Sequence, residues 1–198
     1  MDVIDLDLNF LGGSAYDDTP VWNGTGACTT HHGESDCYAD IYNLCARQES
    51  GNNLTAYWPF TYCMFASQEL LCPDTWNSTT LECGASPYSS TAFDPVVAAC
   101  SAELDVDTAN KITRCAVSSD HQSMGDEGFN ILAEDFNSAA EADPAGTPVW
   151  INVAGALIDE HAFATPEEWA DGVLLAICEA YSGASPPAAC SNGPSTGM

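Results

Sequence analysis

Ten cysteines in 198 residues constrain this chain more than any other feature. Reducing compartments keep thiols free and sparse, so a count of ten points to an oxidising one. The positions are Cys28, Cys37, Cys45, Cys63, Cys72, Cys83, Cys100, Cys115, Cys178 and Cys190, an even set that allows five bridges. Three Asn-x-Thr triplets agree with a secretory route: Asn23, Asn53 and Asn77 are candidate glycosylation sites.

The length is that of one ordinary domain with a real hydrophobic core. Three basic residues, Arg47, Lys111 and Arg114, face 29 acidic ones, for a formal net charge of −26. Such a polyanion repels phosphates and anionic lipid, which argues against nucleic-acid and membrane partners. The charge serves solubility, or it fits work at low pH, where carboxylates protonate and self-repulsion falls. No run of 18 apolar residues is present, so no membrane span is expected. The opening MDVIDLDLNF has neither a basic n-region nor an apolar h-region. A secretory composition without an export signal leads us to expect a chain cut at its N-terminus.

Residues 3–10 alternate apolar and polar and predict a strand with one apolar face. Residues 12–58, rich in Gly, Asn, Asp, Thr and Cys, read as a long irregular, cysteine-rich insertion. Residues 57–71 (YWPFTYCMFASQELL) predict a helix with Pro59 near its start. Residues 72–92 read as a further loop, and 94–118 as one or two short helices with Asp107 as a cap. Phe129, Leu132, Ala133 and Phe136 recur at helical spacing up to Asp143-Pro144. Then come a strand at 149–153, a tight turn at Ala154-Gly155 and a second strand at 156–159. Thr165, Pro166 and Glu168 supply a cap, a first-turn proline and a capping-box glutamate for a last helix closed by Gly183. Its stripe of Trp169, Val173, Ile177 and Tyr181 reads as core packing. Residues 191–198 read as a disordered tail. The second half follows the closing α-β-β-α of a thioredoxin-like domain. The fold class is therefore α/β, one domain over 1–190, with the usual first strand and first helix missing.

The stretch HHGESDCYADIYNLC at 31–45 resembles the signature of the gamma-interferon-inducible lysosomal thiol reductase family. That signature runs Cys-Gln-His-Gly, two residues, Glu-Cys, two residues, Asn, four residues, Cys. Here His32, Gly33, Asp36, Cys37, Asp40 and Cys45 occupy its spacing, with Asp36 for Glu, Asp40 for Asn and His31 for Gln. Thr30 stands where the first cysteine belongs, with Cys28 two residues upstream. YWPFTYCMF, TPVWINVAGALIDE and LLAICEAYSGASPPAAC are similar to further segments of the family. The resemblance implies reduction of protein disulfides in a lysosomal or extracellular compartment, with disulfide-bonded proteins as substrates and no cofactor. It also makes Pro148 the candidate for the proline that lines the substrate groove.

Thiol–disulfide exchange needs a thiolate, which a cysteine at a helix N-terminus supplies, and a resolving partner two residues on. The family carries a Cys-x-x-Cys or Cys-x-x-Ser upstream of the strand that opens this chain, and no Cys-x-x-Cys occurs here. The Cys-x-x-Ser stretches Cys83–Ser86 and Cys115–Ser118 lie in the wrong part of the fold, and their cysteines read as disulfide half-cystines. No catalytic residue is therefore assigned, and the chain is expected to be truncated before its redox motif. The competing reading is a secreted, disulfide-rich, non-catalytic binding protein on the same scaffold. His31, His32, Asp36 and Cys37 can be drawn as a zinc site, but the paired short cysteine spacings of structural zinc are absent, and no metal is assigned. His121 and His161 read as surface residues. Cys72 and Cys83 bracket the extra loop and are expected to pair, as are Cys178 and Cys190 at the end. The pairing of the other six cysteines, and the oligomeric state, are not derivable from sequence.

Overall fold

A computed structural model describes residues 34–79, 82–84, 87–119, 124–142, 151–158 and 162–191. They fall into two compact units, one within Leu6–Gly146 and the other within Thr147–Met198. The predicted strand at 3–10 and residues 149–150 and 159 lie outside the described residues, as do 192–198 of the predicted tail.

The first unit is helical. Its elements are α1 Glu34–Glu49, α2 Leu54–Ala66, α3 Gln68–Leu71, β1 Trp76–Asn77, β2 Glu82–Cys83, α4 Ser90–Cys100, α5 Val106–Ala116 and α6 Asp126–Ala142. The irregular reading of 12–58 is corrected over 34–58. Turn-forming residues dominate its composition, yet Cys37, Tyr38, Ile41, Tyr42, Leu44 and Cys45 recur at helical spacing and all are buried. Helix α1 packs against α2, α5 and α6 and forms the centre of the unit. Ile41, Tyr57, Phe60, Phe93, Ile112 and Leu132, drawn from five helices, meet in one core. Each such side chain contributes about 1.5–3 kcal/mol by leaving water.

Local chemistry sets the helix ends. At the end of α1 the Asn52 N–H donates to Arg47 O at 2.9 Å and the Gly51 N–H to Gln48 O at 2.9 Å. This is a Schellman closure, and it needs the left-handed φ of 64° that Gly51 supplies. Asn53 then caps α2, its Oδ1 accepting from Thr55 N at 3.2 Å and from Thr55 Oγ1 at 2.8 Å. Helix α2 thus begins before Tyr57, and Pro59 sits inside it rather than at its start. Helix α4 starts at Ser90, so the loop read over 72–92 ends earlier. That loop also holds the short antiparallel pair β1–β2, with Trp76 opposite Cys83. Asp105, not Asp107, caps α5, accepting from Thr108 N at 3.0 Å. Asp107 instead occupies the first turn and pairs with Lys111 at 2.7 Å.

The second unit has β3 Ile151–Val153, β4 Ala156–Ile158, α7 Pro166–Ala180 and α8 Ala188–Ser191. The hairpin pairs Val153 with Ala156, Asn152 with Leu157 and Ile151 with Ile158. Ala154 and Gly155 both have positive φ, 51° and 88°, as a two-residue turn between right-twisted strands requires. Thr165 caps α7 by accepting from Glu168 N at 3.2 Å, while Glu168 Oε2 accepts from Ala164 N at 2.9 Å. The helix ends at Ala180 with Tyr181 extended, three residues before the predicted stop at Gly183. The stripe of Trp169, Val173, Ile177 and Tyr181 is half-buried rather than core. Among the described residues, the elements that pack on it are the two three-residue strands and the four-residue α8, a small surface for a fifteen-residue helix.

Among the described residues, then, the chain is mostly helical with two small antiparallel sheets. The sequence α6, β3, β4, α7 keeps the expected α-β-β-α order.

Candidate functional site

The six signature positions divide between described and undescribed residues. His32 and Gly33 lie outside the described residues, as do His31, His121, His161, Cys28, Asn23 and Pro148. The other four stand on α1. Cys37, Asp40 and Cys45 are spaced to share the inner face, and all three are buried; Asp36 is half-buried.

The cysteines on that face are bridged. Cys45 bonds to Cys115, which ties α1 to α5. Cys63 bonds to Cys100 and ties α2 to α4. Cys72–Cys83 closes the loop that carries β1 and β2, and Cys178–Cys190 ties α7 to α8. Cys37 is disulfide-bonded as well. No described cysteine is free. The cysteine of each Cys-x-x-Ser stretch is thus a half-cystine, and Cys115 is also buried. A thiolate nucleophile is therefore absent from the described residues. Nor do they hold a group of three His, Cys, Asp or Glu side chains placed to bind a metal ion.

The polar chemistry of the site lies between α1 and α6. The Arg47 guanidinium donates to Asp135 Oδ1 at 3.1 Å. At the next residue of α1, Gln48 Nε2 donates to Glu127 Oε1 at 2.6 Å. Asp40 stands within the same interface. Burial, then the charges of Asp36 and Asp135, hold its carboxyl well above the usual range. Asp135 was not singled out in the sequence. Its signal was legible, since it falls between Leu132 and Phe136 on the apolar stripe of α6, where an acid needs a partner.

Close backbone approach makes this interface possible. A Cβ on Gly128 of α6 would meet Ile41 Cγ2 at 2.5 Å and Cys115 O at 2.6 Å. Glycine there lets α6 settle against α1 and the end of α5. Asn53 and Asn77 are exposed, and each carboxamide oxygen faces its sequon threonine, Asn77 Oδ1 accepting from Thr79 N at 2.9 Å.

Residues 1–86 match the family model described as Gamma interferon inducible lysosomal thiol reductase (GILT). Over those residues the chain is similar to the GILT family. The match takes in the whole signature and α1 to β2; the similar segments noted at 147–160 and 174–190 lie beyond it. No curated protein and no solved structure matches the chain. The family is one of lysosomal thiol reductases, and the disulfides fit an oxidising compartment. No helix of the described residues is long and apolar enough to cross a membrane.

Proposed function

We propose that this chain is the disulfide-locked body of a GILT-type thiol–disulfide oxidoreductase, which reduces protein disulfides in a lysosomal or extracellular setting. The observation that carries the reading is the bridging of every described cysteine on a scaffold whose first 86 residues match the family model. On this reading the signature is structural, and the redox pair belongs to sequence that residues 1–198 do not include. The α-β-β-α order of 126–180 supports a thioredoxin-like domain over 1–190, with Pro148 lining the groove for the substrate's extended chain. Disulfide-bonded proteins are the substrates; nucleic acid and membrane surfaces are repelled by the net charge of −26. Asn23, Asn53 and Asn77 carry glycans.

The test is insulin reduction at acid pH with a small-thiol donor. Residues 1–198 are expected to give no turnover above the donor alone, and turnover would overturn the structural reading of the cysteines. The same chain extended by the residues its transcript encodes upstream is expected to be active. Inactivity of the extended chain would favour the second reading, a secreted non-catalytic binding protein, which full bridging of the described cysteines also fits.

A further inference from the structure

Carboxylates are seldom buried in a helical core unless a cation meets them. Among the described residues of the first unit two are buried, Asp40 on α1 at 8% exposure and Asp135 on α6 at 5%. Asp135 has its cation in Arg47, 3.1 Å away. Asp40 is placed differently. Asp36 lies one turn before it on the same helix, the spacing at which like charges repel, and Asp135 acts on it from α6.

Among the described residues, the other elements around α1 offer Asp40 no counter-charge. Helix α2, LTAYWPFTYCMFA, carries no acidic or basic residue. On α5, Lys111 is exposed and paired with Asp107, and Arg114 is exposed in the last turn. On α4, Asp94 is exposed and acts on Tyr42. Glu127 of α6 is bonded to Gln48. His31 and His32 are outside the described residues. Asp40 also occupies the signature position at which the family has asparagine. A neutral aspartic acid has nearly the shape of asparagine and, like it, both donates and accepts.

We propose that Asp40 is an acid-side latch: as a neutral carboxyl it takes the place of the signature's asparagine and lets α1 pack on α5 and α6, and its ionisation loosens that packing. The helical unit is therefore built to hold best in an acidic compartment, whether or not the chain reduces disulfides. The sign follows from linkage. An acid whose folded-state value is raised binds more protons folded than unfolded. Its favourable contribution is complete below the ordinary aspartate range, at about pH 4. It is lost as pH rises from there through the raised folded-state value.

The test compares unfolding equilibria of residues 1–198 and Asp40→Asn from pH 4 to pH 7. The substitution leaves the other acids in place, so general self-repulsion cancels in the comparison. The unfolding constant of the unsubstituted chain, divided by that of D40N, is expected to rise with pH, by up to about tenfold per unit. A ratio that stays flat across the range overturns the proposal. Should D40N fail to fold, a carboxyl-carbon NMR titration of the unsubstituted chain decides. One aspartate is expected to titrate well above the rest, and Asp carboxyls that all titrate together in the ordinary range overturn the latch.

Discussion

Removing the Cys45–Cys115 bridge by the double substitution C45A/C115A is expected to destabilise the helical unit by about 5 kcal/mol. The two cysteines are 70 residues apart. A simple loop of that length has a closure entropy worth about 4.4 kcal/mol in the unfolded chain. The Cys63–Cys100 bridge lies inside the loop and shortens it. The remaining path runs over about 18 residues on one side and about 15 on the other, which lowers the figure to about 3.8 kcal/mol. Both sulfurs are buried, Cys45 at 0% and Cys115 at 1% exposure. Their removal leaves voids the size of a methyl group, worth roughly 0.5–1.5 kcal/mol each if the site does not collapse. A loss of this size is comparable with the whole stability of an ordinary domain, about 5–15 kcal/mol. Urea unfolding followed by far-ultraviolet circular dichroism measures it. A loss below about 2 kcal/mol would refute the reasoning, because the bridge would then neither restrain the unfolded chain nor fill the α1–α5 interface.

Two further outcomes follow from the same geometry. Graded reduction under native conditions, read by alkylation and peptide mapping, is expected to open Cys178–Cys190 before Cys45–Cys115, since access governs exchange and only the former pair is partly exposed. The reverse order would mark Cys45–Cys115 as a labile, working disulfide. Gly128→Ala is expected to destabilise by about 1–3 kcal/mol, because backbone at Cys115 and Ile41 Cγ2 stand where the new Cβ would go. Helix propensity alone would make that change stabilising by roughly 1 kcal/mol, so the sign measured in thermal unfolding separates the two effects.

What the sequence revealed depended on how local the cause was. The hairpin turn at Ala154-Gly155 and the Thr165 cap are set by a few adjacent residues, and both were legible. Helix α1 was not. Its Ser35, Asp36, Asp40 and Asn43 are residue types common in loops, and the helical period shows only in its apolar positions. Asp107 and Asp105 are both sound caps by type; the choice fell to Asp105, whose carboxylate meets both Thr108 N and Thr108 Oγ1. The stripe on α7 showed the right period and the wrong depth, because period reports which face is apolar and not what covers it. The pairings Cys45–Cys115 and Cys63–Cys100 span 70 and 37 residues and are fixed by helix packing, which spacing alone does not encode. The Asp40 environment was hidden for the same reason: its second acid, Asp135, arrives from a helix 95 positions later in the chain.

The two bridges also decide how far the family region reaches as a physical object. Cys45 and Cys63 lie inside the matched residues 1–86, and their partners Cys115 and Cys100 lie beyond it. Helices α4 and α5 are thus covalently joined to the signature helix and its neighbour, although no family match covers them. Phe93 and Ile112, both fully buried, complete the core that Ile41, Tyr57 and Phe60 begin. A chain ending at residue 86 would leave two half-cystines without partners and bare the apolar faces of α1 and α2 to water. The smallest unit that can fold around the signature is therefore larger than the signature's own family match. It must run at least through Leu132 and Asp135 on α6, because those residues close the core and neutralise Arg47.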